Sequence, residues 1–254
     1  ATPAECFEMT AEAFELAEYL QTPIMIMSDL DLGMNDHISP PLKWDNTKKY
    51  NRGKVLNAEQ LEKLQRFGRY LDVDNDGIPF RTLPGTHPTK GAYFTRGSSH
   101  DEYAIYSEDS PTYIRVVDRL LKKFETAKEA IPTPYFYPSK VKSNIGLIFF
   151  GTTTPSAEEA MDTLTEHSIN VDAMRLKAFP FNKAVEQFIE THDIVFVIEQ
   201  NRDAQMRTLL INELEINPKK LKKILNYDGK PITADFIVNN ILQQLPKTYL
   251  SNIK

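Results

Sequence analysis

Asn144 to Gln200 reads NIGLIFFGTTTPSAEEAMDTLTEHSINVDAMRLKAFPFNKAVEQFIETHDIVFVIEQ, and its rhythm decides the fold. The apolar runs Ile145 to Phe150, Val171 to Leu176 and Ile194 to Glu199 are short, continuous and rich in β-branched and aromatic residues. Runs of that kind fit strands buried on both faces. Helical patterns separate them, one opening on the box Ser156-Ala-Glu-Glu159 and another running from Lys183 to Thr191. A helix from Ala204 to Leu214, a short strand from Leu221 to Leu225 and a helix from Thr233 continue the alternation. Strands alternating with short helices imply right-handed crossovers and a mostly parallel sheet covered on both sides, an α/β domain.

Working outward, Ile131-Pro-Thr-Pro-Tyr-Phe-Tyr-Pro138 loses backbone donors to its prolines and favours extended chain. It reads as a semi-rigid linker, so the chain divides into residues 1–143 and 144–254. In the first part, Thr2-Pro3-Ala4-Glu5 opens a helix with Phe7, Ala11, Phe14, Ala17 and Leu20 at helical spacing. Ile24 to Met27 reads as another strand buried on both faces, with Asp29 to His37 at its C-terminal end, where open α/β sheets place ligand contacts. Asn57 caps a helix carrying Leu61, Leu64, Phe67 and Leu71 on one face, in which Gly68 costs about 1 kcal/mol. Ser110-Pro111 opens a long helix with Ile114, Val117, Leu121 and Phe124 on a shared face. Trp44 and the basic KKYNRGK segment show no period and read as loop.

Between those last two helices lies Asp72 to Tyr103, DVDNDGIPFRTLPGTHPTKGAYFTRGSSHDEY, with neither helical nor strand periodicity. Its aromatic residues Phe80, Tyr93, Phe94 and Tyr103 argue for an ordered, site-forming loop over a disordered insertion.

The bulk numbers narrow the function classes. A formal net charge of −5 argues against a nucleic-acid backbone as partner. One cysteine, Cys6, allows neither an internal disulfide nor an iron–sulfur cluster held by this chain alone. The sequence carries no apolar run of the roughly 18 residues that span a bilayer and no signal-peptide pattern at its start, so no membrane is expected and the compartment expected is the cytoplasm.

Several clusters could carry chemistry. Asp72, Asp74, Asp76 and Gly77 match the first half of a calcium loop, but its twelfth position is Leu83 where a bidentate Glu belongs, so a carboxylate-rich turn is the stronger reading of the two. Gly151-Thr-Thr-Thr could cradle an anion or simply begin a helix, and it lacks the P-loop lysine. Glu199-Gln-Asn-Arg202-Asp203 could meet a ligand or, in the favoured reading, a subunit. His100-Asp101-Glu102, with Arg81, His87 and Arg96 nearby in sequence, could bind an anionic substrate or form surface ion pairs.

The blocks TPAECFEM, SDLDLGMND, RFGRYLDVDNDGIPFRTLPGTHP, GAYFTRGSSHDEY, LKAFPF, VFVIEQNRDAQ and NYDGKPITADFIV, taken in order, resemble the α subunit of 2-oxoacid:ferredoxin oxidoreductases of the 2-oxoglutarate type. The resemblance implies that residues up to 143 are the C-terminal part of a thiamine-diphosphate pyrimidine-binding module, followed by a transketolase C-terminal-like domain. It implies oxidative decarboxylation of a 2-oxo acid, transfer of the acyl group to coenzyme A, and electrons passed to ferredoxin. It further implies a β subunit supplying most of the contacts to thiamine diphosphate, Mg²⁺ and an iron–sulfur cluster, and a chain inactive alone.

In that family the start of the pyrimidine module precedes the block resembling TPAECFEM, so this chain looks like a C-terminal portion and the family's catalytic residues map onto no position here. Under the resemblance, Arg81, His87, Arg96, His100, Asp101 and Glu102 are candidates for the approach of substrate and coenzyme A. Two other classes stay open: a non-catalytic assembly module of such a complex, and a small cation- or nucleotide-binding α/β protein.

Overall fold

The structure, a computed structural model, describes residues 1 to 250. Its elements are α1 (Pro3–Leu20), α2 (Leu30–Met34), α3 (Ala58–Lys63), α4 (Ser110–Ala130), β1 (Tyr135–Tyr137), β2 (Ile145–Phe150), α5 (Thr154–Glu166), β3 (Asp172–Leu176), α6 (Lys183–Thr191), β4 (Ile194–Glu199), α7 (Gln205–Leu214), β5 (Leu221–Leu225), α8 (Ala234–Gln244) and α9 (Lys247–Leu250). The chain forms two compact units. One gathers residues 1 to 7, 27 to 42 and 132 onward; the other holds residues 8 to 26 and 43 to 131.

The first unit is the α/β domain expected. Its sheet runs β1-β3-β2-β4-β5, parallel throughout except for β1. Alternate residues of each strand point to opposite faces, which sorts the apolar runs into two cores. Leu147, Phe149, Phe196 and Ile198 meet Ala157 and Leu164 of α5 and Ile237 and Ile241 of α8. Ile148, Val195 and Val197 meet Val185 and Ile189 of α6 and Leu210 of α7. Burying each such aliphatic or aromatic side chain stabilises the fold by about 1.5–3 kcal/mol. Two details differ from the sequence reading. The proline-rich linker contains β1, which pairs antiparallel with β3, Phe136 opposite Met174. Ser156 does not cap α5; that helix begins at Thr154 with Pro155 in its first turn, and Ser156 donates to the carbonyl of Ile232 at 2.7 Å.

The second unit is built from α1, α3 and α4 around Leu20, Ile78 and Ala127, with Leu16, Tyr19, Ile24 and Ala130 against them. Outside the sheet the structure departs from the sequence reading at Ile24 to Met27, whose last residue belongs to the first unit, and beyond Lys63. Ile24 to Met27 is extended but enters no ladder, and Met25 and Met27 are exposed. A doubly buried strand needs neighbours on both sides, and none is present among the described residues. Asp29 therefore stands at no strand end; it caps α2, accepting from the Leu32 N–H at 3.0 Å.

The helix begun at Asn57 has the expected reciprocal cap with Gln60 but ends at Lys63. Beyond it, the Tyr70 N–H donates to the Glu102 carbonyl at 2.9 Å, and a Cβ on Gly68 would lie 2.7 Å from the Leu71 Cβ, so local packing replaces helix. In α4 the shared face of Ile114, Val117, Leu121 and Phe124 exists, but it points outward; Thr112, Lys123 and Ala127 are the buried residues.

Candidate functional site

The Asp72 to Gly77 segment folds as a tight turn. The Asp72 carboxylate accepts from the N–H groups of Asp76 and Gly77 at 3.1 and 2.9 Å. Gly77 has φ +81°, and a Cβ there would lie 2.3 Å from the backbone nitrogen of Lys123, so only glycine lets this turn seat against α4. The Lys54 ammonium stands 2.8 Å from both Asp74 and Asp76 and so provides the positive charge. Burial weighs against the charge on Lys54, yet the two carboxylates outweigh it and raise its pKa. Burial likewise opposes ionisation of Asp76, yet Lys54 and the Ile78 N–H outweigh it and lower its pKa. Among the described residues no group of three His, Cys, Asp or Glu side chains is arranged to hold a metal ion.

The six loop residues named from sequence all lie in this second unit, engaged with separate partners. Arg81 reaches Glu18 of α1 and donates to the Arg52 carbonyl at 2.9 Å; together with Arg52 it lowers the pKa of Glu18. His87 accepts through Nδ1 from the N–H groups of Thr89 and Lys90, which leaves its proton on Nε2 to bond Glu62 at 2.7 Å. Arg96 lies 6.0 Å over the Tyr106 ring. His100 stacks on Tyr70 at 4.0 Å between ring centroids. Asp101 Oδ1 accepts from the N–H groups of Tyr103 and Ile105, both at 2.9 Å. Glu102 pairs with Arg115 at 2.9 Å, which lowers its pKa. Among the described residues no hydrogen bond or ion pair joins Arg81, His87 or Arg96 to the His100-Asp101-Glu102 set.

What the loop does form is a cleft of about 320 Å³ lined by Leu61, Arg66, Phe67, Lys90, Tyr93 and Tyr103, among others. The Arg66 guanidinium lies 3.7 Å from the Tyr103 ring centroid, and Phe67 and Tyr93 stand 6.3 Å apart. Gly91, at φ +83°, shapes one wall: a Cβ there would come within 2.8 Å of the Thr82 methyl group. Cations beside aromatic faces suit a ligand that is anionic at one end and flat at the other. Sequence reasoning passed over Arg66, Lys90 and Tyr93. The signal was the interleaving of cations and aromatics in Arg66-Phe67-Gly68-Arg69-Tyr70, which titratable density alone does not reveal.

In the first unit, the sheet order puts the topological switch point between β2 and β4. Both remaining motifs lie there. Gly151 to Thr153 forms a single 3₁₀ turn leading into α5, and Thr152 Oγ1 donates to Asp29 Oδ2 at 2.7 Å. Gln200 donates to Thr153 Oγ1 at 3.2 Å. Glu199 turns inward, fully buried, and accepts from Asn201 and from the N–H groups of Met206 and Arg207 at the start of α7. A protein carboxylate and a helix start occupy the crevice.

No protein-family model matches the chain. It is 26% identical over 244 residues to the 2-oxoacid:ferredoxin oxidoreductase subunit alpha of Saccharolobus solfataricus, covering 93% of this chain and 37% of that protein. It is 27% identical over 241 residues to 2-oxoacid:ferredoxin oxidoreductase 1, subunit alpha, of Sulfurisphaera tokodaii, covering 91% of this chain and 36% of that protein. The chain thus spans little more than a third of the length of these relatives. Its fold matches a 2-oxoglutarate:ferredoxin oxidoreductase from Magnetococcus marinus, solved with 2-oxoglutarate, coenzyme A and succinyl-CoA bound, with a TM-score of 0.78 at 23% identity, over 94% of this chain and 40% of that one. Over more than nine-tenths of its length, this chain is similar in sequence to the α subunits of 2-oxoacid:ferredoxin oxidoreductases.

Proposed function

We propose that this chain supplies the C-terminal part of the α subunit of a thiamine-diphosphate-dependent 2-oxoacid:ferredoxin oxidoreductase, with 2-oxoglutarate as the favoured 2-oxo acid. The observation that carries the reading is the likeness to such α subunits over 93% of the chain. In the proposed reaction the C1 carboxylate of the 2-oxo acid leaves as CO₂, the acyl group forms a thioester with coenzyme A, and two electrons pass singly to two ferredoxins. Thiamine diphosphate supplies the carbanion chemistry when bound. One cysteine cannot by itself ligate a cluster, and among the described residues no group of three His, Cys, Asp or Glu side chains is arranged to hold a metal ion. The reading assigns both to a β subunit, and the complex to the cytoplasm.

The part proposed for this chain is binding. In the cleft, Arg66 and Lys90 would meet the phosphates of coenzyme A and the rings of Tyr93 and Tyr103 would flank its adenine. Of the residues named from sequence, His87 holds the wall of that cleft through Glu62 and Lys90, and Glu102 precedes Tyr103; Arg81, Arg96, His100 and Asp101 shape the loop. The two modules, 1–143 and 144–254, stay part of the proposal.

The test is steady-state kinetics of the complete complex carrying Arg66→Ala with Lys90→Ala. The KM for coenzyme A should rise about tenfold, the equivalent of roughly 1.4 kcal/mol, with the KM for the 2-oxo acid within twofold of wild type. A normal KM for coenzyme A in an assembled complex would favour the assembly-module reading, which the internal engagement of Asp101 and Glu102 also suits.

A further inference from the structure

Three cations of α4 are bonded to neutral groups alone. Arg119 donates through Nη1 to the Gly77 carbonyl at 2.8 Å, Lys123 donates to Thr22 Oγ1 at 2.7 Å, and Lys122 donates to the Asn75 side chain. A fourth, Arg69, reaches the Tyr93 hydroxyl at 3.3 Å and lies over the Tyr70 ring. The nearby carboxylates do not answer them. Glu102 is spent on Arg115, Asp72 accepts from the N–H groups of Asp76 and Gly77, and Asp118 makes no bond among the described residues. Burial lowers the pKa of Arg119 and of Lys123, and the charge of Arg69 lowers both further; Asp72 offsets part of this at Arg119 alone. Arg119 Nε and Arg69 Nη1 are buried with no hydrogen-bond partner. Arg69, Arg119, Lys122 and Lys123 set against Asp72 and Asp118 leave two positive charges unanswered, in a chain whose formal net charge is −5. Partly buried charge of one sign is costly until a counter-charge reaches it.

A groove of about 370 Å³ opens over these cations, with Tyr70, Asp72 and Asn75 on one wall and Asp118, Arg119 and Lys122 on the other. It shares no lining residue with the cleft at Arg66. We propose that this groove is a second ligand site, which takes the phosphoryl group of a small molecule between Arg119 and Lys122. Three features select that ligand. A phosphate monoester carries about −1.5 to −2 charge at neutral pH, which matches the two unanswered cations, whereas chloride or a single carboxylate matches one. Arg119 and Lys122, three positions apart, are neighbours on the helix surface, and a guanidinium beside an ammonium suits the several acceptor oxygens of a phosphoryl group. The groove has the volume of a small-molecule pocket, about 300–1,000 Å³. Asp118 at its rim opposes any anion and holds the affinity down.

The site does not rest on the proposed function, and its test reads binding without turnover. The full chain carrying Arg66→Ala with Lys90→Ala, which silences the other cleft, is titrated with inorganic phosphate while chloride holds the ionic strength constant. Calorimetry should show saturable binding, and the Arg119 Nε–H resonance should shift as the site fills. Lys122→Gln, which gives up only the bond to Asn75, should weaken binding about tenfold with the melting temperature of the phosphate-free protein unchanged. Asp118→Asn removes the opposing carboxylate and should tighten binding about threefold. Glycerol 3-phosphate distinguishes the source: tighter binding than inorganic phosphate identifies a phosphate monoester, equal binding the free ion, and either upholds the site. No saturation below about 10 mM, or a phosphate affinity untouched by both Lys122→Gln and Asp118→Asn, overturns it.

Discussion

Glu5 and Arg175, 170 positions apart, are joined by two parallel hydrogen bonds of 2.7 and 2.8 Å between carboxylate and guanidinium. The sequence pattern assigned Glu5 to capping its own helix. Thr2 keeps its half of that task, its Oγ1 accepting from the Glu5 N–H at 3.2 Å, while the Glu5 side chain turns away to hold Arg175 of β3 within the same unit.

A dependence on pH follows. Burial raises the pKa of Glu5, but the bonds and charge of Arg175 outweigh it and draw it from 4.5 down toward about 2. Its stabilisation is therefore complete above pH 4.5 and is lost as pH falls from there toward 2. Glu5→Gln should cost about 2 kcal/mol at pH 7, between the values of exposed and buried pairs, and should flatten that part of the acid limb in denaturation curves. An unchanged acid limb would show that other carboxylates set it.

Gly77→Ala should cost about 3 kcal/mol, because the new Cβ meets the backbone of α4 in a conformation already unfavourable to L-residues. Gly85, also at positive φ but with nothing within 4 Å of a Cβ, is the control: Gly85→Ala should cost about 1 kcal/mol from strain alone. Urea denaturation of both variants tests the difference.

Calcium should leave the protein unchanged. At about 1 mM, enough to fill even weak calcium loops, it should not move the melting temperature, since Lys54 already occupies the space between Asp74 and Asp76. A rise of several degrees would mean that the carboxylates can turn from the lysine to a cation.

Asp101→Ala should cost about 1–2 kcal/mol and speed hydrogen exchange at the amides of Tyr103 and Ile105, the two donors it strands. Asp101→Asn keeps a carbonyl acceptor and should lose less. If either variant abolishes turnover while those amides stay protected, Asp101 acts on substrate and its turn bonds are incidental.

Legibility in the sequence tracked whether a segment finds its partners inside the chain. Ile145 to Phe150 and Ile24 to Met27 carry the same continuous apolar signal; the first has β3 and β4 on either side, and the second has no strand among the described residues. Periodicity reports the burial a segment is suited to, not the presence of what would bury it. Tyr135 to Tyr137 was hidden because its flanking prolines mark extended chain without saying whether it pairs. The capping pattern at Asn57 located a helix start but not its end, where Leu64 turns extended and its N–H closes on the Leu61 carbonyl. At the site, titratable density drew attention to His100-Asp101-Glu102, where Asp101 serves backbone and Glu102 serves Arg115. The interleaved cations and aromatics of Arg66 to Tyr70 mark only one wall of the cleft; that Lys90 and Tyr93 stand beside Arg66 is a tertiary fact.

The ends of the five-stranded sheet bear on how the protein survives at high concentration. One margin is the three-residue β1, bounded by Pro134 and Pro138, which have no N–H to offer an incoming strand. The other is β5, where Lys222 and Lys223 put positive charge along the open ladder. Both margins therefore disfavour the addition of a further strand, and Pro134→Val with Lys223→Val should raise light scattering of the native protein at high concentration above that of the unsubstituted chain.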